Sequence, residues 1–409
     1  MNKLTDLSTT PWGMMNDRFT ILTGNHRLLK SINSTVIRDL VRTDSPISGA
    51  QLAKITGMRP STVQKILKNL ESQGLVTKIG IGASTKMGGR PPTLWEICGH
   101  HGYAIGIQLE MNEIRAVLVN LKSQIIAEQQ VATDRFASIH DIEEQIIIVI
   151  KDILQSKNID RQQLLGIGIG VSGLVDVTRG IILRTSLLRH ASPIPLRESL
   201  QKHYDIPIYI ENDANAAALA EKWFGARKKT DHFVFVLVVV DKDVFGIGFG
   251  LVLKHDIYRG ANMLAGEATP YDLNIKKILR DQCGFRDAHF INGQSKIDLD
   301  DVHLSDLIAA IDENPVAKDF FDSVGKIIAD ELTAVINLLD PQMIVIGGEI
   351  AAAKGSLFKP VQDSLRHRGL LLAERQIDIV PSSLPVNSVS LGAVSIILQQ
   401  IFQEPVKAM

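Results

Sequence analysis

The strongest constraint on the fold is a pattern that occurs twice. From Tyr103, "YAIGIQL", "IRAVLVNL" and "QIIAEQQV" read as three consecutive strands. A second triplet, "HFVFVLVVV", "GIGFGLVL" and "DIYRGA", begins at His232. Short apolar runs bounded by turn residues are the mark of strands buried in a sheet. The first triplet is followed by a helix with a broad apolar face, "DIEEQIIIVIKDILQS", and then by two buried strands, "LLGIGIGVSGLVD" and "IPIYIEN". The first of these strands runs into a turn at Gly173. A helix, "ANAAALAEKWFG", comes after the second. Near the end, "VGKIIADELTAVINLLDPQMIVIGGEI" gives a long helix, an Asp-Pro break, a buried strand and a Gly-Gly turn. Mixed strands and helices of this kind layer as α/β. Two such sets predict two lobes with a cleft between them, the usual place for a small ligand. The duplication rests on element order alone, because no residue-level repeat relates the halves.

The run Phe233–Val240 is too short for a membrane span, which needs about 20 apolar residues. The start, "MNKLTDLSTTPWGMM", lacks the apolar core of a secretion signal. Only Cys98 and Cys283 are present, far apart and with no CxxC pair. That spacing argues against a disulfide framework or a cysteine-rich zinc site. A cytoplasmic protein with no membrane partner is expected.

Charge is distributed unevenly. Between Asn25 and Pro92 there are eleven basic residues and three acidic ones, a surplus of +8 in a chain whose net charge is -1. The remainder is therefore acidic, at -9. A basic segment on an acidic body suggests a polyanion partner at one end.

That segment has a recognisable layout. "STVIRDLV" (Ser34–Val41) reads as a helix with Val36, Ile37, Leu40 and Val41 on one side. Ser48 is a plausible N-cap with Gln51 as its capping-box partner. Leu52 and Ile55 supply the buried face of the helix that follows, and Gly57 supplies a sharp turn. A second helix opens at Pro60 or Ser61, carries Val63, Ile66, Leu67 and Leu70 as its apolar stripe, and stops at Gly74. Two short helices across a tight turn make a helix-turn-helix. Then "LVTKIGIGASTKMGGRPPTLWEI" reads as strand, glycine-rich loop and strand, a wing with Lys86 and Arg90 near its tip. Arg59, Ser61, Thr62, Gln64, Lys65 and Lys68 at the second helix, with Lys86 and Arg90 on the wing, suit phosphates and base edges. Double-stranded DNA is the expected partner. The domains are then a tail at 1–24, a winged helix-turn-helix at 25–98, and a two-lobed α/β domain at 99–409. The joint lies near Trp95–Gly102, with His100 and His101 a solvent-exposed linker pair.

In the larger part, Glu211-Asn212-Asp213 ends a strand where a helix begins. A carboxylate there can hold a polar ligand or take a proton from it. Asn212 and Asp213 can equally cap the helix.

The chain resembles the ROK family of repressors, open reading frames and sugar kinases over nearly everything from Ile32 to Ile397. The resemblance is carried by "GIGIGVSGLVD" (Gly166–Asp176), "ENDANAAALAE" (Glu211–Glu221), "GANMLAGE" (Gly260–Glu267) and "INLLDPQMIVIGGEI" (Ile336–Ile350). The "GGRPP" wing (Gly88–Pro92) matches the repressor branch. The resemblance implies an actin-like, sugar-kinase-type pair of lobes behind the winged helix-turn-helix. It also implies a carbohydrate-like effector touching Gly173, Asn212, Asp213 and Glu267, with no catalytic residue. The family kinases' phosphate loop, Asp-x-Gly-Gly-Thr-Lys, is replaced here by "QLEMNE" (Gln108–Glu113), whose carboxylates would repel a triphosphate. The second phosphate loop, Gly-Thr-Gly, is "VFG" (Val244–Gly246), so a hydroxyl has become Phe245. Pro270 stands where the family has a histidine, and its cysteine-rich zinc loop is reduced to Cys283 and His289. No metal and no cofactor are expected. The function implied is a repressor of carbohydrate genes that binds an operator as a homodimer or tetramer. Control by a protein partner, and an ATP-dependent sugar kinase, are the alternatives.

Overall fold

The computed structural model describes residues 26–82, 91–111, 113–133, 138–185, 187, 193–241, 244–267, 274–283, 302–368, 377–384 and 386–403. The chain sorts into two compact units.

The smaller unit spans the chain up to Gly102, with Asn120–Lys122 and the residues from Leu398. It holds α1 (His26–Asp44), β1 (Ile47–Ser48), α2 (Gly49–Thr56), α3 (Pro60–Ser72), β2 (Val76–Ile81) and β3 (Thr93–Ile97). The strands pair antiparallel in the order β1-β3-β2. The capping box at α2 is present: Ser48 Oγ accepts the Gln51 N–H at 3.2 Å, and Gln51 Oε1 accepts the Ser48 N–H at 2.9 Å. Gly57 ends α2 with φ of 68°, a left-handed conformation that favours glycine. The buried residues of α3 are Val63, Ile66, Leu67 and Leu70, the expected stripe. Two expected core positions are not core. Val36 is 39% exposed and Ile55 is 56% exposed. α2 is only eight residues long, so Leu52 alone fills its inward side and Ile55 turns outward. α1 is also longer than the expected Ser34–Val41.

The larger unit carries two sheets. The first is built from β4 (Tyr103–Leu109), β5 (Glu113–Asn120), β6 (Ile125–Ala132), β7 (Leu164–Val171) and, after β8 (Gly173–Asp176) and β9 (Ile181–Thr185), β10 (Ile208–Asn212). Helix α4 (Ile139–Gln155) precedes β7, and α5 (Leu196–Gln201) precedes β10. Helix α6 (Asp213–Trp223) follows. The second sheet comprises β11 (Phe233–Asp241), β12 (Val244–Leu253), β13 (Asp256–Ile257) and, after α7 (Ile275–Asp281), α8 (Leu304–Ala309) and α9 (Pro315–Leu339), β14 (Met343–Gly347). Helix α10 (Gly355–Arg368), β15 (Asp378–Pro381) and α11 (Ser388–Phe402) complete the chain.

The strand orders are β10-β7-β4-β5-β6 and β13-β12-β11-β14-β15. Read from opposite ends they are the same topology, with each triplet flanked on its first strand by two later parallel strands. The duplication inferred from element order is thus realised in the sheets. Gly173 is not merely a turn: it opens the separate β8–β9 hairpin.

Helix α11 shows how closely the layers meet. A Cβ on Gly106 of β4 would lie 1.9 Å from the Ser390 carbonyl oxygen, and one on Gly392 would lie 1.7 Å from that of Ala216. Only glycine permits backbone approach at that distance. Close packing there seats α6 firmly, and α6 begins at the residues that matter next.

Candidate functional site

Strand β10 delivers Glu211, Asn212 and Asp213 to the start of α6. Asn212 is the N-cap: its Oδ1 accepts the Asn215 N–H at 3.1 Å. Its Nδ2 donates to the Gly173 carbonyl at 3.1 Å, tying the helix start to the β8–β9 hairpin. Capping and site-building are therefore done by one side chain. Gly173 has φ of 137°, and a Cβ there would lie 2.1 Å from the Arg184 carbonyl oxygen, so the hairpin can sit this close only with glycine.

Glu211 supports this corner from behind. It is 2% exposed, and its Oε1 accepts the Asn212 N–H at 3.0 Å. Its Oε2 accepts Arg259 Nε at 3.0 Å and Nη2 at 2.6 Å. Arg259 opens the loop that ends at Glu267, and that loop is fastened to β12 by the Phe249 N–H donating to the Gly266 carbonyl at 2.8 Å. The Arg259–Glu211 pair thus joins the two walls of a cavity.

The cavity has a volume of about 560 Å³, within the usual range for small-ligand sites. All four expected ligand residues, Gly173, Asn212, Asp213 and Glu267, line it. Ser172, Leu174, Arg184, Thr185, Leu237, Val239, Gly246, Ile247 and Gly248 complete the lining and are not among the expected residues. Their signal is not local: they come from four elements, and only the folded chain brings them together. Asp213 Oδ1 accepts the Ala214 N–H at 2.8 Å. Burial pushes its carboxyl group up to about 6, against the opposing pull of the Ala214 N–H and the Ser172 hydroxyl. Glu267, at the rim, is also held above the usual carboxylate range, by burial of its carboxyl end and by the charge of Asp213. Two hydrogen-bond acceptors on facing walls can hold the hydroxyls of a polyol.

The stretch where a phosphate loop would stand is acidic. Burial and Glu113 push the Glu110 carboxyl up to about 7, with smaller contributions from Asp213 and Glu349. Arg115 pairs with Glu113 and lies 3.6 Å from Glu349. Its Nη1 also donates to the Val386 carbonyl at 3.3 Å. The cation here is thus engaged by protein groups. Phe245, in the place of the second phosphate loop's hydroxyl, is turned into the core, 6.1 Å ring to ring from Phe320. Cys283 is half-buried and its thiol is pushed up to about 11 by burial. Pro270 and His289 lie outside the described residues.

On the smaller unit, Arg59, Ser61, Gln64, Lys65 and Lys68 are exposed and Thr62 is half-buried. Arg59 precedes α3 as its N-cap residue, so Arg59, Ser61, Lys65 and Lys68 lie along the outer side of α3, opposite its buried stripe. Gln64 differs: its amide end lies over Gly49, where a Cβ would be only 2.4 Å away. It closes the helix pair as well as facing outward. Lys78 on β2 is taken up by Glu71 at 2.8 Å and by the Trp95 ring at 5.1 Å. Lys86 and Arg90 lie outside the described residues. Trp95 is buried within β3, and Gly99–His101 form one 3-10 turn, with the His101 ring against Gly74.

A winged helix-turn-helix in one chain with a two-lobed, sugar-kinase-type domain is the architecture of a ligand-responsive transcription regulator. The chain belongs to the ROK family, whose profile matches residues 104–400. A profile described as winged helix-turn-helix DNA-binding matches residues 39–77. The chain is 27% identical over 381 residues to the xylose repressor of Bacillus subtilis, covering 90% of this chain and 96% of that protein. It is 25% identical over 394 residues to the N-acetylglucosamine repressor of Escherichia coli O6:H1, covering 91% and 94%. Among solved structures, a ROK family transcriptional regulator, a homolog of the E. coli MLC protein, superposes with a TM-score of 0.73 at 22% identity. It covers 92% of this chain and 97% of that one. Among the described residues no helix is long and apolar enough to cross a membrane.

Proposed function

We propose that this protein is a cytoplasmic transcriptional repressor of carbohydrate uptake or metabolism genes, released from its operator by a small carbohydrate. The observation that carries the reading is the convergence of Asn212, Asp213 and Glu267 on one cavity, in a chain that begins with a DNA-binding fold. Arg59, Ser61, Thr62, Gln64, Lys65, Lys68, Lys86 and Arg90 contact the operator. Two copies read half-sites about one helical turn apart, as a dimer or within a tetramer. The effector acts only by preferring one arrangement of the lobes over the other.

The protein acts without catalysis in this reading. Phosphoryl transfer needs a cradle for triphosphate. Glu110 and Glu113 occupy the matching stretch, and Arg115 is committed to Glu113. The relatives with repressor names favour the same view, and their names, for two different sugars, leave the effector open to experiment.

The test is a thermal-shift screen of hexoses, pentoses, amino sugars and their phosphates on the full-length protein, each with and without Mg-ATP. A sugar at about 100 times its dissociation constant stabilises the protein by about 2.7 kcal/mol. The hit is then added to the protein on operator DNA in fluorescence anisotropy, where release is expected. A shift that requires ATP would revive the kinase. If no sugar shifts the protein, control by a protein partner takes its place.

A further inference from the structure

The cavity has two sides of different chemistry. Its polar side chains, Ser172, Arg184, Thr185, Asn212, Asp213 and Glu267, all come from outside β11 and β12. Those two strands supply a floor. Leu237 and Val239, two apart on β11, face the side on which α6 packs. Their ladder partners on β12 are Gly248 and Gly246. Directly paired residues share one face of an antiparallel sheet. The floor is therefore Val239 and the 4%-exposed Leu237 beside two positions with no side chain, and Ile247 between those glycines also lines the cavity. The nearest atom to a Cβ on Gly246 is the Val239 carbonyl oxygen, 3.9 Å away, so space is left open above it.

Size points the same way. The cavity, about 560 Å³, extends from the polar corner at Asn212, Asp213 and Glu267 across to Val239 and Gly246. A sugar ring held at that corner leaves the part of the floor around Val239 and Gly246 to a further group. An acetyl group would cover little more. A wet apolar floor beside a bound ligand forgoes about 25 cal/mol for each Å² that a larger ligand would bury.

We propose that the effector is a glycoside: a sugar ring held by Asn212, Asp213 and Glu267, with an apolar aglycone lying over Leu237, Val239 and Gly246. This rests on the reading of the cavity as a carbohydrate site. It assigns the β11–β12 floor as a second subsite, with its own specificity.

The test is calorimetric titration of the full-length protein with D-xylose, D-glucose and the p-nitrophenyl β-glycoside of each. At least one glycoside binds about tenfold or more tighter than its parent sugar, the gain expected from burying an aromatic ring. Gly246→Val fills the open space above the floor, and Val239→Asn puts an amide on it. Both variants lose that tenfold gain, read as the ratio of glycoside to parent-sugar affinity within each variant. Either variant suffices if the other fails to fold. Binding of a parent sugar with no gain from the aglycone overturns the glycoside proposal and leaves the carbohydrate reading standing. So does a gain that survives both substitutions. If no sugar or glycoside binds, the carbohydrate reading and this inference fall together.

Discussion

The α2–α3 pair and the cavity at Asn212 present their functional groups in opposite ways. On α3 the candidate DNA contacts lie between Arg59 and Lys68, on the outside of a helix whose inside is four apolar residues. Each stands on its own backbone position and shares little with the next. The cavity draws its lining from Ser172 to Glu267 and from several elements. Its groups share supports: Glu211 holds the Asn212 N–H with one oxygen and Arg259 with the other. Substitutions on the helix surface should therefore act singly and mildly. Substitutions at the cavity should couple and cost more.

The largest effect is expected at Arg259. Arg259→Met leaves the Glu211 carboxylate, 2% exposed, without its cation. Removing one partner of a buried pair costs about 3–5 kcal/mol, and partial exposure of Arg259 puts the loss near the lower end, about 3 kcal/mol. Urea denaturation measures it. Glu211→Gln in the same chain should recover much of the loss, because a neutral amide tolerates the missing cation. Additive costs in this cycle would show that the two walls are not coupled through the pair.

Asp213 should give a smaller effect of opposite sign. Its carboxyl group sits at about 6 in the folded protein, above the roughly 3.9 of an unfolded chain. Between these values the folded state binds more protons than the unfolded one. The stability contributed by this group is then fully present below about pH 4 and is lost as pH rises to about 6. Glu110, raised to about 7, extends the same trend upward. Asp213→Asn should remove its part of the fall and gain about 2 kcal/mol at neutral pH, a shift of about two units discounted for partial exposure. The same substitution should abolish effector binding. Wild-type affinity for the effector should weaken as pH drops through 6, because the carboxylate is the acceptor. Denaturation and titration across pH 4–8 check both halves.

The contrast also explains what could be read before folding. The capping box at Ser48, the α3 stripe and the Gly57 turn obey rules that span four residues or fewer, and the sequence displays them directly. The strand triplets were legible because buried strands are written as apolar runs. Asn212 and Asp213 stood out because a strand end and a helix start coincide there. Leu237, Val239 and Gly246 look like ordinary strand residues; their place in the cavity depends on pairing across β11 and β12 and on where α6 lies. Arg259 is 48 residues from Glu211, and nothing local links them. Ile55 misled for a complementary reason: its spacing fits the inner face of a helix, but α2 is too short to have a long one.

The smallest effects belong to α2, where local rules alone act. Ser48→Ala removes the oxygen that accepts the Gln51 N–H and should cost about 1 kcal/mol. Ile55→Ser, at a side chain 56% exposed, should change stability by no more than about 0.5 kcal/mol. The double variant should equal the sum, since one acts at the start of the helix and the other near its end. Thermal denaturation of the three variants measures this. A loss at Ile55 as large as that at Ser48 would mean its side chain is covered in the assembled protein, and would move this face of the helix pair from solvent to an interface between copies.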